Sequence, residues 1–109
     1  MAEGSGIFAE RRLHLRAGIE DREVLVQFGP VVKKDDAASC RYRLTGFDEP
    51  ISVEIWGLDE VQAVQLAMTS AGSELDRLAP DAKYRIVGDS NGEGQGHGLP
   101  SFNVRHAAP

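Results

Sequence analysis

Trp56-Gly57-Leu58-Asp59-Glu60-Val61-Gln62 marks the point where a run of strands gives way to the one long helix of the chain. Asp59 is an N-cap residue type, and Gln62 stands three positions later, where its amide completes a capping box. Apolar residues continue at helical spacing to Leu78, and Pro80 closes the segment because its ring cannot carry the hydrogen-bond ladder onward. Upstream of Asp59 the sequence alternates apolar and polar residues with period two, the pattern of a sheet buried on one face. The expected fold is α+β: a four-stranded antiparallel meander covered on one face by a single helix in the C-terminal half, with a short C-terminal hairpin or flexible tail.

Four segments carry the alternation. In residues 9–16, Leu13 and Leu15 alternate with Arg12, His14 and Arg16. Residues 22–32 place Val24, Val26 and Phe28 against Glu23, Leu25 and Gln27, and Gly29-Pro30 is expected to bend or end that strand's pairing. Lys33-Lys34-Asp35-Asp36 reads as a charged hairpin tip. Residues 39–45 set Cys40, Tyr42 and Leu44 against Arg41 and Arg43, and from residue 51 Ile51, Val53 and Ile55 alternate with Ser52, Glu54 and Trp56.

The helix, expected over residues 59–78, supplies the cover through Val61, Val64, Met68, Ala71, Leu75 and Leu78. Ala67, Ala71 and Gly72 are small enough to let its backbone lie close to the sheet. Gly72 costs about 1 kcal/mol of helix propensity relative to Ala, and close approach is the expected compensation. One helix covers only part of four strands, so apolar area stays open unless the tail or another chain fills it.

The chain divides into a flexible N-terminus at 1–8, one α+β domain at 9–88, and a Gly-rich loop and C-terminal tail at 89–109. Residues 83–87 are compatible with a fifth strand and 101–105 with a short strand pairing back to it. Its 109 residues suffice for one modest core, and no window has the apolar length needed to span a bilayer. The start, Met1-Ala2-Glu3-Gly4-Ser5-Gly6, lacks the basic-then-apolar pattern of a signal peptide. With Cys40 alone there is no intramolecular disulfide, and a cytoplasmic location is the simpler expectation.

The net charge is −5, which disfavours a general nucleic-acid coat yet leaves room for a local basic patch. Residues 1–50 carry 8 Lys/Arg against 9 Asp/Glu, whereas residues 51–109 carry 4 against 8. The excess acid therefore sits in the helix and tail, where Glu60, Glu74, Asp76 and Asp81 read as a solvated side.

No catalytic motif stands out. Gly92-Glu93-Gly94-Gln95-Gly96-His97-Gly98 has His97 where a dinucleotide loop needs its third glycine, and no helix follows to direct an N-terminus at a phosphate, so it reads as a flexible linker. His14, His97 and His106 have no metal-ligand spacing, and no metal or cofactor is expected. Cys40 alternates with Tyr42 and Leu44 and reads as inward and inert. Asp59 and Glu60 are explained by the helix dipole.

One constellation carries a functional reading. The outer sheet face gathers Arg12, His14, Arg16, Leu25, Gln27, Arg41, Arg43, Glu54 and Trp56, and Arg and Trp are enriched at binding hot spots. Glu54 is equally explained by cross-strand pairing with Arg41 or Arg43, and Trp56 by inward packing at the strand–helix corner. The expected interface comprises Arg12, His14, Leu25, Arg41, Arg43, Glu54 and Trp56, with Leu66 from the far side of the helix. The partner is one dedicated protein or a second copy of the chain. Alternatives are a nucleic-acid module using the basic face and a small enzyme with a composite site.

The stretch Val61-Gln62-Ala63-Val64-Gln65-Leu66-Ala67-Met68, with Gly57-Leu58-Asp59 before it and Gly72-Ser73-Glu74-Leu75 after it, resembles the helix signature of a family of small bacterial proteins of unknown function. The resemblance covers about residues 10–79 and leaves the Gly-rich tail outside. It implies the fold and no activity, cofactor or site residue. The function expected from the residues is a non-enzymatic protein–protein interaction module, and a small acidic binder of this kind also suits an inhibitor or immunity role against a toxin.

Overall fold

The computed structural model describes residues 6–80, 82–87 and 96–100. The elements are β1 (Ala9–Ala17), β2 (Glu20–Lys34), β3 (Ala37–Thr45), β4 (Ile51–Gly57), α1 (Glu60–Leu78) and β5 (Lys83–Ile86). They form one antiparallel sheet in the order β4-β3-β2-β1-β5, with α1 packed on one face. The α+β class is as expected, but the sheet has five strands. Among the described residues β5 joins the free edge of β1, pairing Leu13 with Ile86 and Leu15 with Tyr84. The strand suggested at 101–105 lies outside the described residues.

Turn chemistry sets the strand ends. β1 and β2 meet at a two-residue turn, Gly18-Ile19, closed by the Ala17–Glu20 pair, so both strands run further than their apolar residues alone indicate. Gly29-Pro30 does not end β2. The ladder with β3 shifts register between Phe28 and Val31 and then resumes, which is how a sheet accommodates a proline that has no N–H to donate.

Leu13, Val24, Val26, Phe28, Cys40, Tyr42 and Leu44 form the inner face and are buried. Above them the deepest row of α1 is Ala63, Ala67, Ala71 and Leu75. Val64, Met68 and Leu78 flank that row and are partly buried, whereas Val61 is 65% exposed and does not belong to the stripe. The helix is rotated toward its smallest residues because three alanines let its axis approach the sheet, and larger side chains then fill the sides. At the strand–helix corner Gly57 leaves the same clearance: a Cβ there would lie 2.6 Å from the Ala63 nitrogen.

The cap forms with one change. Asp59 accepts a hydrogen bond from the Gln62 N–H at 2.8 Å, but the Gln62 amide oxygen accepts from Leu58 N–H, at 2.7 Å, and not from Asp59.

The helix lies over β2, β3 and β4 and leaves β1 and β5 to another cover. Residues 96–100 supply it. Leu99 packs on the core, His97 is buried, and Gly96 N–H donates to the Tyr84 carbonyl at 3.2 Å. The linker expected at 92–98 therefore does not describe residues 96–98. Gly72 serves this segment and not the sheet: a Cβ at Gly72 would lie 2.0 Å from the Pro100 carbonyl oxygen.

Candidate functional site

Among the described residues only one face of the sheet is covered, and strand register decides what the other presents. The pairs Arg12–Leu25, Leu25–Thr45, Gln27–Arg43, Arg43–Ser52 and Arg41–Glu54 run across the sheet on the face away from α1. His14 lies between Glu23 and Arg85, and Trp56 sits opposite Ser39. Arg12, His14, Leu25, Arg41, Arg43, Glu54 and Trp56 thus share one surface. Leu66, on α1, belongs to the opposite layer, is partly buried, and does not join them.

Trp56 is 47% exposed, with the Lys34 ammonium 6.0 Å from its ring centre. That distance is the outer limit for a cation–π contact. Glu54 is held on two sides, accepting a hydrogen bond from the Ser39 hydroxyl at 2.8 Å and lying 3.8 Å from an Arg41 nitrogen. Arg41 also donates to the Ser52 hydroxyl at 3.3 Å. Both sequence readings of Glu54 therefore coexist: it is paired, and it is on the face.

The electrostatics of this surface oppose those of the chain. By register the face carries Arg12, Arg16, Lys34, Arg41, Arg43, Lys83 and Arg85 against Glu10, Asp21, Glu23 and Glu54, seven cations to four anions in a protein of net charge −5. Arg12 lies 3.6 Å from Glu23, and Arg16 lies 3.1 Å from Asp21 with His14 nearby. The hydrogen bond from Arg16 holds the Asp21 carboxyl below its usual range. Arg43, Lys83 and Arg85 are exposed and have no acidic partner among the described residues, so the excess positive charge is concentrated in solvated heads. Exposed pairs of this kind add little stability and are readily exchanged for a partner's groups.

A second polar cluster lies on the inner side, where sequence reasoning found none. Arg11 pairs with Val26 on the inner face, and its guanidinium donates to the His97 carbonyl at 3.0 Å. His97 accepts from Leu99 N–H at Nδ1, which leaves the proton on Nε2 to be donated to the Asp76 carboxylate at 2.9 Å. Its ring meets Tyr84 edge to face at 5.4 Å, and the Tyr84 hydroxyl donates to the Leu75 carbonyl. Burial, reinforced by the Asp76 charge, pushes the Tyr84 phenol up to about 12. Both ring nitrogens of His97 are engaged, so the cluster fastens residues 96–100 and leaves no nitrogen free to move a substrate proton. The available signal was Tyr84 alternating with Lys83 and Arg85, which marks an inward aromatic needing a neighbour.

A composite enzyme site built on Cys40 and His14 is not assembled, because Cys40 pairs with Val31 and Ile55 on the inner face and His14 lies on the outer one. Burial raises the Cys40 thiol above its ordinary value, away from the reactive thiolate. Among the described residues no three His, Cys, Asp or Glu side chains could hold a metal ion. No helix among them is long and apolar enough to cross a membrane.

Compared with known families, the chain matches the one described as "Domain of unknown function (DUF6968)" over residues 9–101. The match extends beyond the meander and helix through the Gly-rich segment, as the docking of residues 96–100 on the core makes sensible. No curated protein and no solved structure matches.

Proposed function

We propose that this chain, which belongs to the DUF6968 family of unknown function, is a non-enzymatic interaction module whose open sheet face docks one dedicated protein with an acidic surface. The observation that carries the reading is the reversal of charge: a protein of net charge −5 sets seven cations against four anions on the sheet face that no element among the described residues covers. Association steered by such a patch is fast and salt-sensitive, and Trp56 and Arg43 supply the anchor types that dominate interface energies. A protein partner is favoured over single-stranded nucleic acid because the described strands set one aromatic, Trp56, on this face and interleave its arginines with carboxylates, which repel phosphate. A single buried cysteine needing no oxidant fits a cytoplasmic setting, and the small acidic format fits an inhibitor or immunity protein of bacterial origin.

The test pairs Arg41→Glu with Trp56→Ala and measures partner binding beside thermal unfolding. Both side chains are exposed, so the transition should move by about 1 kcal/mol or less while affinity falls at least tenfold. Unchanged affinity would remove the outer face from the interface.

A further inference from the structure

The two edges of the sheet are not equivalent. β5 is four residues long and carries Lys83 and Arg85, a short charged edge that resists pairing. β4 runs seven residues, Ile51-Ser52-Val53-Glu54-Ile55-Trp56-Gly57, with no proline or lysine, and its ladder to β3 is unbroken from Ala38–Gly57 to Leu44–Ile51. Among the described residues nothing pairs with its far side, so its outward N–H and C=O groups face solvent. Ile51, Val53 and Ile55 point to the helix side yet stay only partly buried, because no strand lies beyond them.

We infer that the free edge of β4 adds the β4 of a second copy, antiparallel, about a two-fold axis at Val53. The strand is complementary to itself in that register. Paired residues share a face, so Val53 must meet an inner-facing residue of the other copy and Glu54 an outer-facing one. Centring the pair on Glu54 sets that carboxylate against its own copy, which is unfavourable. Centring on Val53 pairs Ile51 with Ile55 and Ser52 with Glu54 of the second copy. It also lays Trp56, the single tryptophan of the chain, against Pro50 of the second copy. The pairing is isologous and closes at two copies, joining the sheets into one of ten strands. This inference does not rest on the proposed partner. Were both to hold, the two basic faces would lie side by side and present a doubled surface.

Sedimentation equilibrium of the full chain over a wide concentration range, with Trp56 emission read in parallel, gives the first half of the test. A dimer whose formation moves the emission to the blue is expected. The second half is oxidative crosslinking of exposed-edge variants. One of the pairs Val53–Val53 and Ser52–Glu54 is of the closer, non-hydrogen-bonded kind. Disulfide-linked dimer is therefore expected from Val53→Cys alone or from an equimolar mixture of Ser52→Cys and Glu54→Cys, and not from Ser52→Cys alone. A chain that stays monomeric at every concentration overturns the inference. So does a dimer that neither cysteine arrangement links.

Discussion

Gly72→Ala should destabilise the protein, against the ordinary rule for helices. In an exposed helix interior this substitution stabilises by about 1 kcal/mol. At Gly72 the added Cβ would lie 2.0 Å from the Pro100 carbonyl oxygen and 3.2 Å from the Leu99 Cβ, whereas ordinary contact begins near 3.4 Å. The oxygen must therefore retreat by more than about 1 Å, a displacement that close packing transmits along the segment. Residues 96–100 are held by the His97–Asp76, Leu99–His97, Arg11–His97 and Gly96–Tyr84 hydrogen bonds and by Leu99. The two bonds with a charged partner, Asp76 and Arg11, are worth about 2 kcal/mol each, the other two about 1 each and the burial of Leu99 about 2, while ordering each residue costs about 1, so docking is favourable by only about 3 kcal/mol. Losing most of it outweighs the helix gain and leaves a net loss of about 1–2 kcal/mol. Urea unfolding gives the sign, and the NMR signal of the His97 ring reports the docking. Leu99→Ala should add little in the Gly72→Ala background, because the contact is already lost. A variant more stable than the parent, with the His97 signal unmoved, would show that Gly72 does not seat residues 96–100.

Three further outcomes follow from the same geometry. Burial raises the Tyr84 phenol to about 12 from its ordinary value of 10.0, so its stabilising contribution is complete below pH 10 and is lost as pH rises through about 12. The shift corresponds to roughly 3 kcal/mol; phenolate absorbance and alkaline unfolding should both show it, with Tyr84→Phe removing this pH dependence. Asp59→Ala removes the acceptor for Gln62 N–H and should cost about 1 kcal/mol by thermal or urea unfolding, with Asp59→Asn recovering most of it. Cys40, fully buried with its thiol pKa raised, should react with an aromatic disulfide reagent only at the rate at which the protein opens, and fast labelling of native protein would contradict its placement.

Period-two alternation made four strands, their faces and the outer constellation legible, because a strand buried on one side writes its orientation into every second residue. The helix start was legible for a similar reason, Asp59 and Gln62 being residue types with a specific local use. What escaped was tertiary. The sequence pattern centred the helix on its largest apolar residues, whereas packing centred it on Ala63, Ala67 and Ala71, since distance of approach outweighs side-chain size when a helix lies flat on a sheet. β5 was readable as a strand but not as a partner of β1, because four residues carry too little pattern to select an edge. His97 was obscured by its glycine neighbours: they suggest a linker, while its burial depends on Tyr84, Asp76 and Arg11, far away in the chain. Arg11 shares its face with Leu13 and Val26, so alternation places it inward, but its partner, the His97 carbonyl, lies far away in the chain.

The open basic face is proposed to bind a protein. Affinity capture of tagged chain from its own cell lysate after nuclease treatment, run beside Arg43→Glu, tests it most directly. Arg43 is exposed and has no acidic partner among the described residues, so its reversal should leave the fold intact. One protein is expected in stoichiometric amount with the parent chain, resistant to nuclease, released by salt and lost with the variant. Recovery of the bait alone, of nuclease-sensitive material only, or of a partner that Arg43→Glu retains in full would contradict it.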